Sequence, residues 1–296
     1  MRVFVTGATG WVGSAVVRDL IAAGHSVRGL SRSAEGATKL RAAGAEVQLG
    51  TLEDLDGLKD GAAWSDGVIH LAFNHDFSKI VENSAAEKRA IEALGGVLLG
   101  SDRPLVVTSG VALLSPGVVS DEATPARVLS DAFPREPEGA TAALAERGLR
   151  TTVVRLAPTV HGIGDKGFVP LLIGVAREKG VAAYVGEGQN RWPAVHRDDA
   201  ARVFRLALEA GAEGGPFHAI AEEGIPMKQI TEVIARRLNL PLVSLTPQEA
   251  QGHFGWFGGF AAIDCPASSE RTRARLNWAP QHPGLLEDME HPAYFG

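Results

Sequence analysis

Residues 3–13 read VFVTGATGWVG, an apolar run followed by three glycines at three-residue steps. The apolar run predicts a buried strand, and an amphipathic helix is predicted to begin at about Trp11. Gly7 permits a tight turn, Gly10 lets the backbone approach a pyrophosphate, and Gly13 lets the helix lie close to the strand. A strand, a glycine turn and a helix in this order are the context that a dinucleotide-binding fingerprint requires. The stretch therefore predicts a site for a dinucleotide cofactor.

The composition predicts a soluble cytoplasmic enzyme that acts on a small molecule. The chain has 296 residues, 45% of them hydrophobic, which is enough for one large domain or two small ones. The formal net charge of −6 argues against a nucleic-acid partner. The single cysteine, Cys265, excludes a disulfide framework and a cysteine metal site. No apolar stretch approaches the length of a membrane span, so no membrane partner is expected.

Strand and helix patterns alternate with short joints along the first two-thirds of the chain. This alternation predicts an α/β fold with a doubly wound parallel sheet of the Rossmann type. The strands are expected near residues 2–6, 26–31, 46–50, 67–72, 104–109 and 151–157. The helices between them are expected near residues 11–23, 34–43, 54–62, 77–99 and 138–148.

The alternation loosens after residue 158, where Pro, Gly and Trp become frequent. Further helices are expected near 168–179, 197–210 and 226–238. We therefore predict a cofactor-binding Rossmann domain over residues 1–160, extended by elements of about 193–222. Residues 161–296 are predicted to form a smaller C-terminal substrate-binding lobe that is not fully separate.

The end of the second predicted strand favours NADP over NAD as the cofactor. An acidic residue at this position binds the ribose hydroxyls of NAD and repels a 2′-phosphate. The strand ends here with Ser31, Arg32 and Ser33, and no acidic residue follows before Glu35. Arg32 offers a charge-assisted fork for a phosphate, flanked by two hydroxyl groups.

Several blocks along the chain together resemble the short-chain dehydrogenase/reductase superfamily, in its extended and atypical branches, and they follow the order and spacing of that family. These blocks are TGATGWVG at 6–13, GVIHLA at 67–72, VVTSG at 106–110, VVRLAPTVHG at 153–162, PAVHRDDAA at 193–201 and RLNWAP at 275–280. The resemblance implies that Thr51 and Leu52 lie near the adenine, although the family commonly has an aspartate in the place of Thr51. The other implied cofactor contacts are Gly7, Thr9, Gly10, Trp11, Val12, Gly13, Ser31, Arg32, Ser33, Leu71, Ala72, Phe73, Thr108, Pro158, Thr159 and Val160.

The catalytic signature of this family, a Tyr-x-x-x-Lys pair on the helix before the sixth strand, is missing. The two tyrosines, Tyr184 and Tyr294, both follow the sixth predicted strand, and neither has Lys four residues later. Family spacing counted back from Arg155 places the tyrosine near residues 128–131. Asp131-x-x-x-Arg135 is then a variant of the pair, in which Arg135 binds the ribose and stabilises an oxyanion but cannot donate a proton near neutral pH.

Three residues are therefore the catalytic candidates: Ser109, Arg135 and His161. Ser109 lies at the position of the family's active-site serine or one place before it, with Gly110 as the alternative. Histidine is the proton carrier tuned to neutral pH, and His161 follows the predicted nicotinamide turn. His75, just past the fourth strand, is the alternative proton carrier. The histidines show no metal-site spacing.

Polar and aromatic residues on the carboxyl edge of the sheet and on the lobe are the candidates for substrate binding. Trp256, Phe257 and Phe260 form an apolar, Gly-rich segment that we expect to act as a lid over a small or weakly polar substrate. The predicted substrate contacts are Asn74, His75, Lys166, Phe168, Arg191 and Trp192.

The sequence thus predicts an NADP(H)-dependent oxidoreductase that reduces a carbonyl or oxidises the matching alcohol. Two alternatives stay open. One is an epimerase or dehydratase that recycles its cofactor internally, and the other is a cofactor-sensing binding protein without catalysis. A homodimer through helices 77–99 and 138–148 would suit the family resemblance.

Overall fold

The computed structural model describes residues 1–127, 130 and 134–296. Strands and helices alternate from the start of the chain, as the sequence predicts. The strands are β1 (Arg2–Thr6), β2 (Ser26–Ser31), β3 (Glu46–Leu49), β4 (Gly67–His70), β5 (Leu105–Gly110), β6 (Thr151–Leu156), β7 (Thr159–His161), β8 (Ala182–Val185), β9 (Arg191–His196), β10 (Phe217–Ala219), β11 (Glu222–Pro226) and β12 (Leu242–Leu245). The α-helices are α1 (Trp11–Ala22), α2 (Ala34–Ala42), α3 (Leu55–Trp64), α4 (Ile80–Leu98), α5 (Pro137–Glu146), α6 (Phe168–Lys179), α7 (Arg197–Glu209), α8 (Met227–Leu238), α9 (Pro247–Phe254), α10 (Gly258–Ala261), α11 (Glu270–Leu276) and α12 (Leu285–Asp288).

A seven-stranded parallel sheet in the order β10-β6-β5-β4-β1-β2-β3 forms the centre of the Rossmann-type fold. The middle residues of its central strands β1, β4, β5 and β6 are apolar and buried because helices cover both faces. Val106 and Val154 pack with α1 and α7 on one face, whereas Val107 and Val153 pack with α4 and α5 on the other. Six of the strands are those that the sequence predicts. The seventh, β10, comes from the later part of the chain and pairs with β6.

The element boundaries differ from the expected ones at two places that matter for the site. The strand expected over 67–72 ends at His70, because the next two amide groups turn to Thr6: Leu71 and Ala72 donate hydrogen bonds to the Thr6 Oγ1 atom at 3.2 and 3.3 Å. The helix expected over 77–99 begins as a 3-10 turn at Phe77–Lys79 and becomes α-helical at Ile80.

A second core lies under the later part of the chain, around β8, β9, α6 and α8. Trp192, Phe257 and Leu285 are fully buried there. Two small sheets, β11-β9-β7 and β12-β8, support this core. Within the described residues, no helix has both the length and the apolar character that crossing a bilayer requires.

Candidate active site

The glycine turn between β1 and α1 has the geometry of a phosphate cradle. Gly7 has a φ of +65°, and a Cβ atom on it would lie 2.8 Å from the Ala72 amide nitrogen. A Cβ atom on Gly13 would lie 2.0 Å from the Gly7 carbonyl oxygen, so the helix approaches the turn as closely as only glycine permits. No side chain caps the amide groups at the start of α1. These residues therefore fit a pyrophosphate at the helix N-terminus, with Thr9 exposed and Val12 half-buried beside it.

The end of β2 presents the cation Arg32 and two serine hydroxyl groups, of which only that of Ser33 is exposed. The Ser31 hydroxyl donates to the Ser33 carbonyl oxygen at 3.0 Å, and the Ser33 hydroxyl caps α2 by accepting from the Gly36 amide at 3.1 Å. The expectation that Ser31 flanks a phosphate is therefore wrong, because its buried hydroxyl donates within this loop, whereas the exposed Ser33 hydroxyl keeps its hydrogen and stays a candidate. Arg32 is exposed and makes no hydrogen bond or ion pair to the described residues. Thr51 is also exposed, and the half-buried Leu52 packs against the core.

Lys166 lies near this same edge of the sheet. The pKa of Glu35 is lowered first by its hydrogen bond to Lys39 and to a lesser extent by the Lys166 ammonium. Lys166 is exposed on the segment that joins β7 to α6. Its charge thus acts on the residues after Arg32, at the end of the site where the adenosine belongs. This position does not support the expected contact with the substrate.

The turn that follows β6 is braced from two sides. The Trp11 indole nitrogen donates to the Val160 carbonyl oxygen at 2.7 Å, which ties the turn to the glycine-rich segment. Pro158 is half-buried and Thr159 is buried, and the Thr159 hydroxyl has no partner among the described residues. This arrangement fits the nicotinamide-binding role that the resemblance implies for the turn.

His161 does not reach the proposed reaction site, so the sequence prediction for it needs correction. Its side chain is fully buried on the lobe side, and its Nδ1 atom lies 2.8 Å from an Asp288 carboxylate oxygen. The Tyr294 hydroxyl donates to the same carboxylate at 2.6 Å and accepts from the Gly162 amide at 2.9 Å. His161 is therefore a buried link between the turn and the end of the chain, and its burial does not support the expected contact with the substrate.

Ser109 belongs to a polar network that the sequence did not reveal. Its hydroxyl donates to a Glu138 carboxylate oxygen at 2.7 Å. Arg155 holds the same carboxylate through its Nε and Nη2 atoms, at 2.9 and 2.6 Å. The Arg155 Nη1 atom lies 3.2 Å from His218 Nε2, and burial lowers the pKa of His218. Register explains the cluster, because Ser109 and Arg155 are direct neighbours on β5 and β6.

Arg135 lies against β5 and the segment that follows β4. It forms a double hydrogen bond to Glu87, with Nε at 2.8 Å and Nη2 at 2.6 Å from the carboxylate oxygens. Its Nη2 atom also lies 3.5 Å from the Thr108 carbonyl oxygen, and the guanidinium carbon lies 4.3 Å from the Phe73 ring centroid. The Nη1 atom has no hydrogen-bond partner among the described residues. Asp131, the other half of the predicted variant pair, lies outside them.

Ser109 and Arg135 both line a cavity of about 230 Å³ at the carboxyl end of β5. The cavity is mainly apolar in surface, with cationic and anionic groups around it. The described lining residues are Ser109, Leu113, Ala126, Arg127, Arg135, Glu136, Pro137, Glu138 and Gly139. A small molecule bound here would contact the two polar clusters just described.

Asn74 and His75 are exposed next to this region. The Asn74 side-chain oxygen accepts from the Asp76 amide at 3.2 Å, which shapes the loop. The His75 ring meets the Phe73 ring edge-on at 5.4 Å, on a residue that also contacts Arg135. The pKa of His75 is lowered by burial and further by the Arg135 charge, so the ring is neutral near pH 7.

The predicted lobe contacts Arg191 and Trp192 serve the structure. Trp192 is fully buried, and its indole nitrogen donates to the Ile263 carbonyl oxygen at 3.1 Å. Arg191 forms a double hydrogen bond to Asp264 at 3.0 and 2.8 Å. The prediction that Arg191 and Trp192 contact the substrate is therefore wrong, because both groups are occupied within the chain.

The aromatic segment predicted to be a lid is divided between core and surface. Phe168 packs against Trp192, Phe257 and Phe260, with ring centroids 6.0, 5.2 and 4.5 Å away. Phe257 is fully buried, whereas Trp256 is 64% exposed. Phe168 is thus a half-buried member of the second core, and of this segment Trp256 has the most surface to offer a ligand.

Three potential metal ligands, His196, Asp198 and His282, lie within 4.8 Å of one another. The His196 and His282 rings stack in near-parallel planes with centroids 4.3 Å apart, so their nitrogen lone pairs do not converge. The Asp198 carboxylate is already paired with Arg18 at 3.1 Å. This geometry does not favour a metal ion in the cluster.

Sequence reasoning missed Glu87 and Glu138, the two carboxylates that position the site. The burial of Glu87 could have been predicted from the sequence, since Glu87 lies on the same apolar stripe of α4 as Ile91, Leu94 and Leu98. A charged residue on an apolar stripe requires a buried partner. Glu138 follows Pro137 at the start of α5. Acidic residues are common in the first turn of a helix because they interact favourably with its positive N-terminal end. The sequence therefore did not mark Glu138 as a residue of the site.

Comparison with known proteins agrees with this geometry. Residues 3–92 match the model of the NAD-dependent epimerase/dehydratase family. An uncharacterized protein of Schizosaccharomyces pombe is 52% identical, covering 100% of both chains. The 4-hydroxy-2-methyl-3-oxo-4-farnesyl-3,4-dihydroquinoline-1-oxide ketoreductase of Stigmatella aurantiaca is 33% identical, covering 77% of this chain and 70% of its own.

The solved structure of UDP-glucose 4-epimerase from Thermotoga maritima superposes with a TM-score of 0.76 at 20% identity, covering 100% of this chain and 98% of its own. This likeness shows the shared fold. The sequence match to the ketoreductase and the match to the family model show that the similarity also holds at the level of sequence. They confirm the family resemblance that the motifs indicate. The chain belongs to the NAD-dependent epimerase/dehydratase family of the short-chain dehydrogenase/reductase superfamily.

Proposed function

We propose that the protein is an NADP(H)-dependent oxidoreductase that reduces a carbonyl group, or oxidises the matching alcohol, of a small substrate in the cavity at Arg135. The observation that carries this proposal is the position of Arg135. Its guanidinium touches Phe73, just after β4, and the Thr108 carbonyl oxygen on β5, both predicted cofactor contacts, and it also lines the cavity. The nicotinamide supplies the hydride chemistry when the cofactor is bound.

Arg135 takes over the electrostatic part of the missing tyrosine and lysine. Its Nη1 atom is the donor available to an oxygen on which negative charge develops, and the guanidinium keeps its charge at every relevant pH. Glu87 orients the guanidinium by holding its Nε and Nη2 edge. Arg135 cannot release a proton, so the proton comes from His75 or from water. His75 is suited to accept one in the direction of alcohol oxidation, because it is neutral near pH 7.

NADP is the proposed cofactor because Arg32 is exposed and uncommitted at the end of β2. Lys166 adds a second positive charge at the same edge, as its effect on Glu35 indicates. Two cations and no free acidic group favour a 2′-phosphate over bare ribose hydroxyls, since Glu35 is itself paired with Lys39 at 2.7 Å.

Relatives support a reductase. The Stigmatella aurantiaca relative is named a ketoreductase, and a second relative, from Stenotrophomonas maltophilia, is named a 2-alkyl-3-oxoalkanoate reductase. The latter is 29% identical over 82% of this chain and 77% of its own.

The test is titration of the protein with NADPH and NADH, followed by NADPH oxidation against a panel of ketones and aldehydes. Tighter binding of NADPH and turnover that falls at least about tenfold in Arg135→Gln would support the proposal. Tight NADPH binding without turnover across the panel would instead indicate a cofactor-sensing protein. A cofactor that copurifies and shows no net absorbance change during turnover would indicate an epimerase or dehydratase.

A further inference from the structure

The direction of every hydrogen bond around Ser109 follows from the chemistry of its neighbours. Glu138 accepts hydrogen bonds from the Arg155 Nε and Nη2 atoms in a short, largely buried ion pair. Its carboxylate can therefore only accept hydrogen bonds and has no hydrogen to donate. The Ser109 hydroxyl, 2.7 Å from that carboxylate, must therefore donate its hydrogen to Glu138.

His218, at the other end of the network, also accepts a hydrogen bond from Arg155. His218 Nδ1 lies 2.7 Å from the Ser268 carbonyl oxygen, which can only accept, so Nδ1 carries the hydrogen. His218 Nε2 then accepts from the Arg155 Nη1 atom at 3.2 Å. Arg155 is 2% exposed and has acceptors on both sides, which leaves it no freedom to turn away. The network has one consistent arrangement of its hydrogens.

A consequence follows for the cavity that Ser109 lines. The Ser109 oxygen has given away its only hydrogen, so toward the cavity it offers lone pairs alone. Arg135 offers the opposite, because its Nη1 atom, for which the described residues provide no acceptor, can only donate. A molecule that satisfies both groups carries a hydrogen-bond donor for Ser109 and an acceptor for Arg135. The described residues enclose a volume of about 230 Å³, which suits a small molecule.

We propose that the substrate is a small hydroxy-carbonyl compound, whose hydroxyl group donates to the Ser109 oxygen while its carbonyl oxygen accepts from Arg135. This inference rests on the proposed function, from which it takes the cavity as the substrate site. Ser109 then binds the hydroxyl group of the substrate, and the ion pair of Glu138 and Arg155 orients the Ser109 side chain for this contact. The reacting carbonyl is left to Arg135.

The experiment compares ligands that differ only by a hydroxyl and a methyl group. Hydroxyacetone is paired with butanone, and acetoin with methyl isopropyl ketone. Their affinities for the protein saturated with NADP⁺ are measured by ligand-observed NMR and calorimetry. We expect the hydroxyl member of each pair to bind about tenfold more tightly or better, because its absence leaves the Ser109 oxygen unpaired.

Two variants and a control locate the effect. Ser109→Ala removes the acceptor, and Ser109→Cys removes most of it while keeping the space filled, so that a ligand does not reach Glu138 directly. Both are expected to bring the affinity ratio close to one. Thr141→Val is the control on the same helix as Glu138; its hydroxyl donates to the Pro137 carbonyl oxygen within the helix, and it should keep the wild-type ratio.

Equal affinities within each pair for the wild-type protein would overturn the inference, as would a ratio that persists in Ser109→Cys or the absence of binding by every probe. NADPH oxidation by the same ketones is measured in parallel. A hydroxyl preference without turnover of any ketone or aldehyde of the panel would refute the oxidoreductase, and the Ser109 contact would then belong to a bound ligand rather than to a substrate. Turnover without a hydroxyl preference would refute this inference alone.

Discussion

Two neighbouring ion pairs join α4 to the residues before α5, and they should differ strongly in energy. Glu87 pairs with Arg135, and the next residues along each segment, Lys88 and Glu136, pair at 2.7 Å. The side chains of the first pair are 2% and 19% exposed, whereas those of the second pair are 45% and 25% exposed. A double-mutant cycle for each pair therefore compares a buried interaction with an exposed one in the same place.

The expected magnitudes follow from burial and geometry. Glu87 and Arg135 share two charge-assisted hydrogen bonds, each worth about 1.5–3 kcal/mol before desolvation is counted. Since Arg135 keeps some contact with solvent, we expect a coupling energy of about 2–3 kcal/mol rather than the larger values of fully buried pairs. Lys88 and Glu136 share one exposed bond, so their coupling energy should lie below about 1 kcal/mol.

The assay is urea unfolding followed by tryptophan fluorescence, with Glu87→Gln and Arg135→Met in one cycle and Lys88→Met and Glu136→Gln in the other. Repeating both cycles at about 1 M salt, where the Debye length is about 3 Å, should remove most of the exposed coupling and little of the buried one. Equal coupling energies in the two cycles would refute the view that Glu87 holds Arg135 in place.

Four further outcomes are expected. Arg32→Ala should weaken NADPH binding about tenfold or more and leave NADH binding nearly unchanged in a fluorescence titration. Trp192→Ala should lower the free energy of unfolding in urea by about 3–5 kcal/mol, while Trp192→Phe should leave the substrate KM unchanged. Burial raises the pKa of Asp165 to about 6, above its value in the unfolded chain. The folded protein therefore loses stability as the pH rises from about 4 through 6. Asp165→Asn should raise the free energy of unfolding by about 2 kcal/mol at pH 8 and change it little at pH 4, in the same urea assay. Tyr294→Phe leaves the buried Gly162 amide without its acceptor and should cost about 1–3 kcal/mol of stability by urea unfolding.

The fold was predictable because its signals are local. The glycine turn and the strand-helix alternation depend on residues close in sequence, and six of the seven sheet strands follow from them. Strand β10 was not predictable, since three residues, Phe217–Ala219, are too short for a pattern and acquire their role only by pairing with β6.

The candidate site was predictable only where its residues act through the backbone. The glycine turn between β1 and α1 and the end of β2 at Ser31 lie where the sequence predicts, and their roles in cofactor binding stay predictions. The role of His161 depends on Asp288, which is 127 positions away, and that of Arg135 depends on Glu87, 48 positions away. Side-chain partners at such distances are set by tertiary packing. Local sequence patterns therefore cannot predict whether a polar side chain faces a ligand or another part of its own chain.

The late position of α7 in the chain has a consequence for synthesis on the ribosome. Val203, Phe204 and Ala207 of α7 cover the sheet face that carries Val106 and Val154. A nascent chain that has delivered β1 to β6 still lacks this helix, so the part of that face not covered by α1 is bare and the outer edge of β6 is unpaired. Such an intermediate exposes the surfaces that promote aggregation, and it stays exposed until the segment from 197 to 219 has emerged. Slow translation just before that segment would prolong the exposure, and chaperone demand should be greatest at that point.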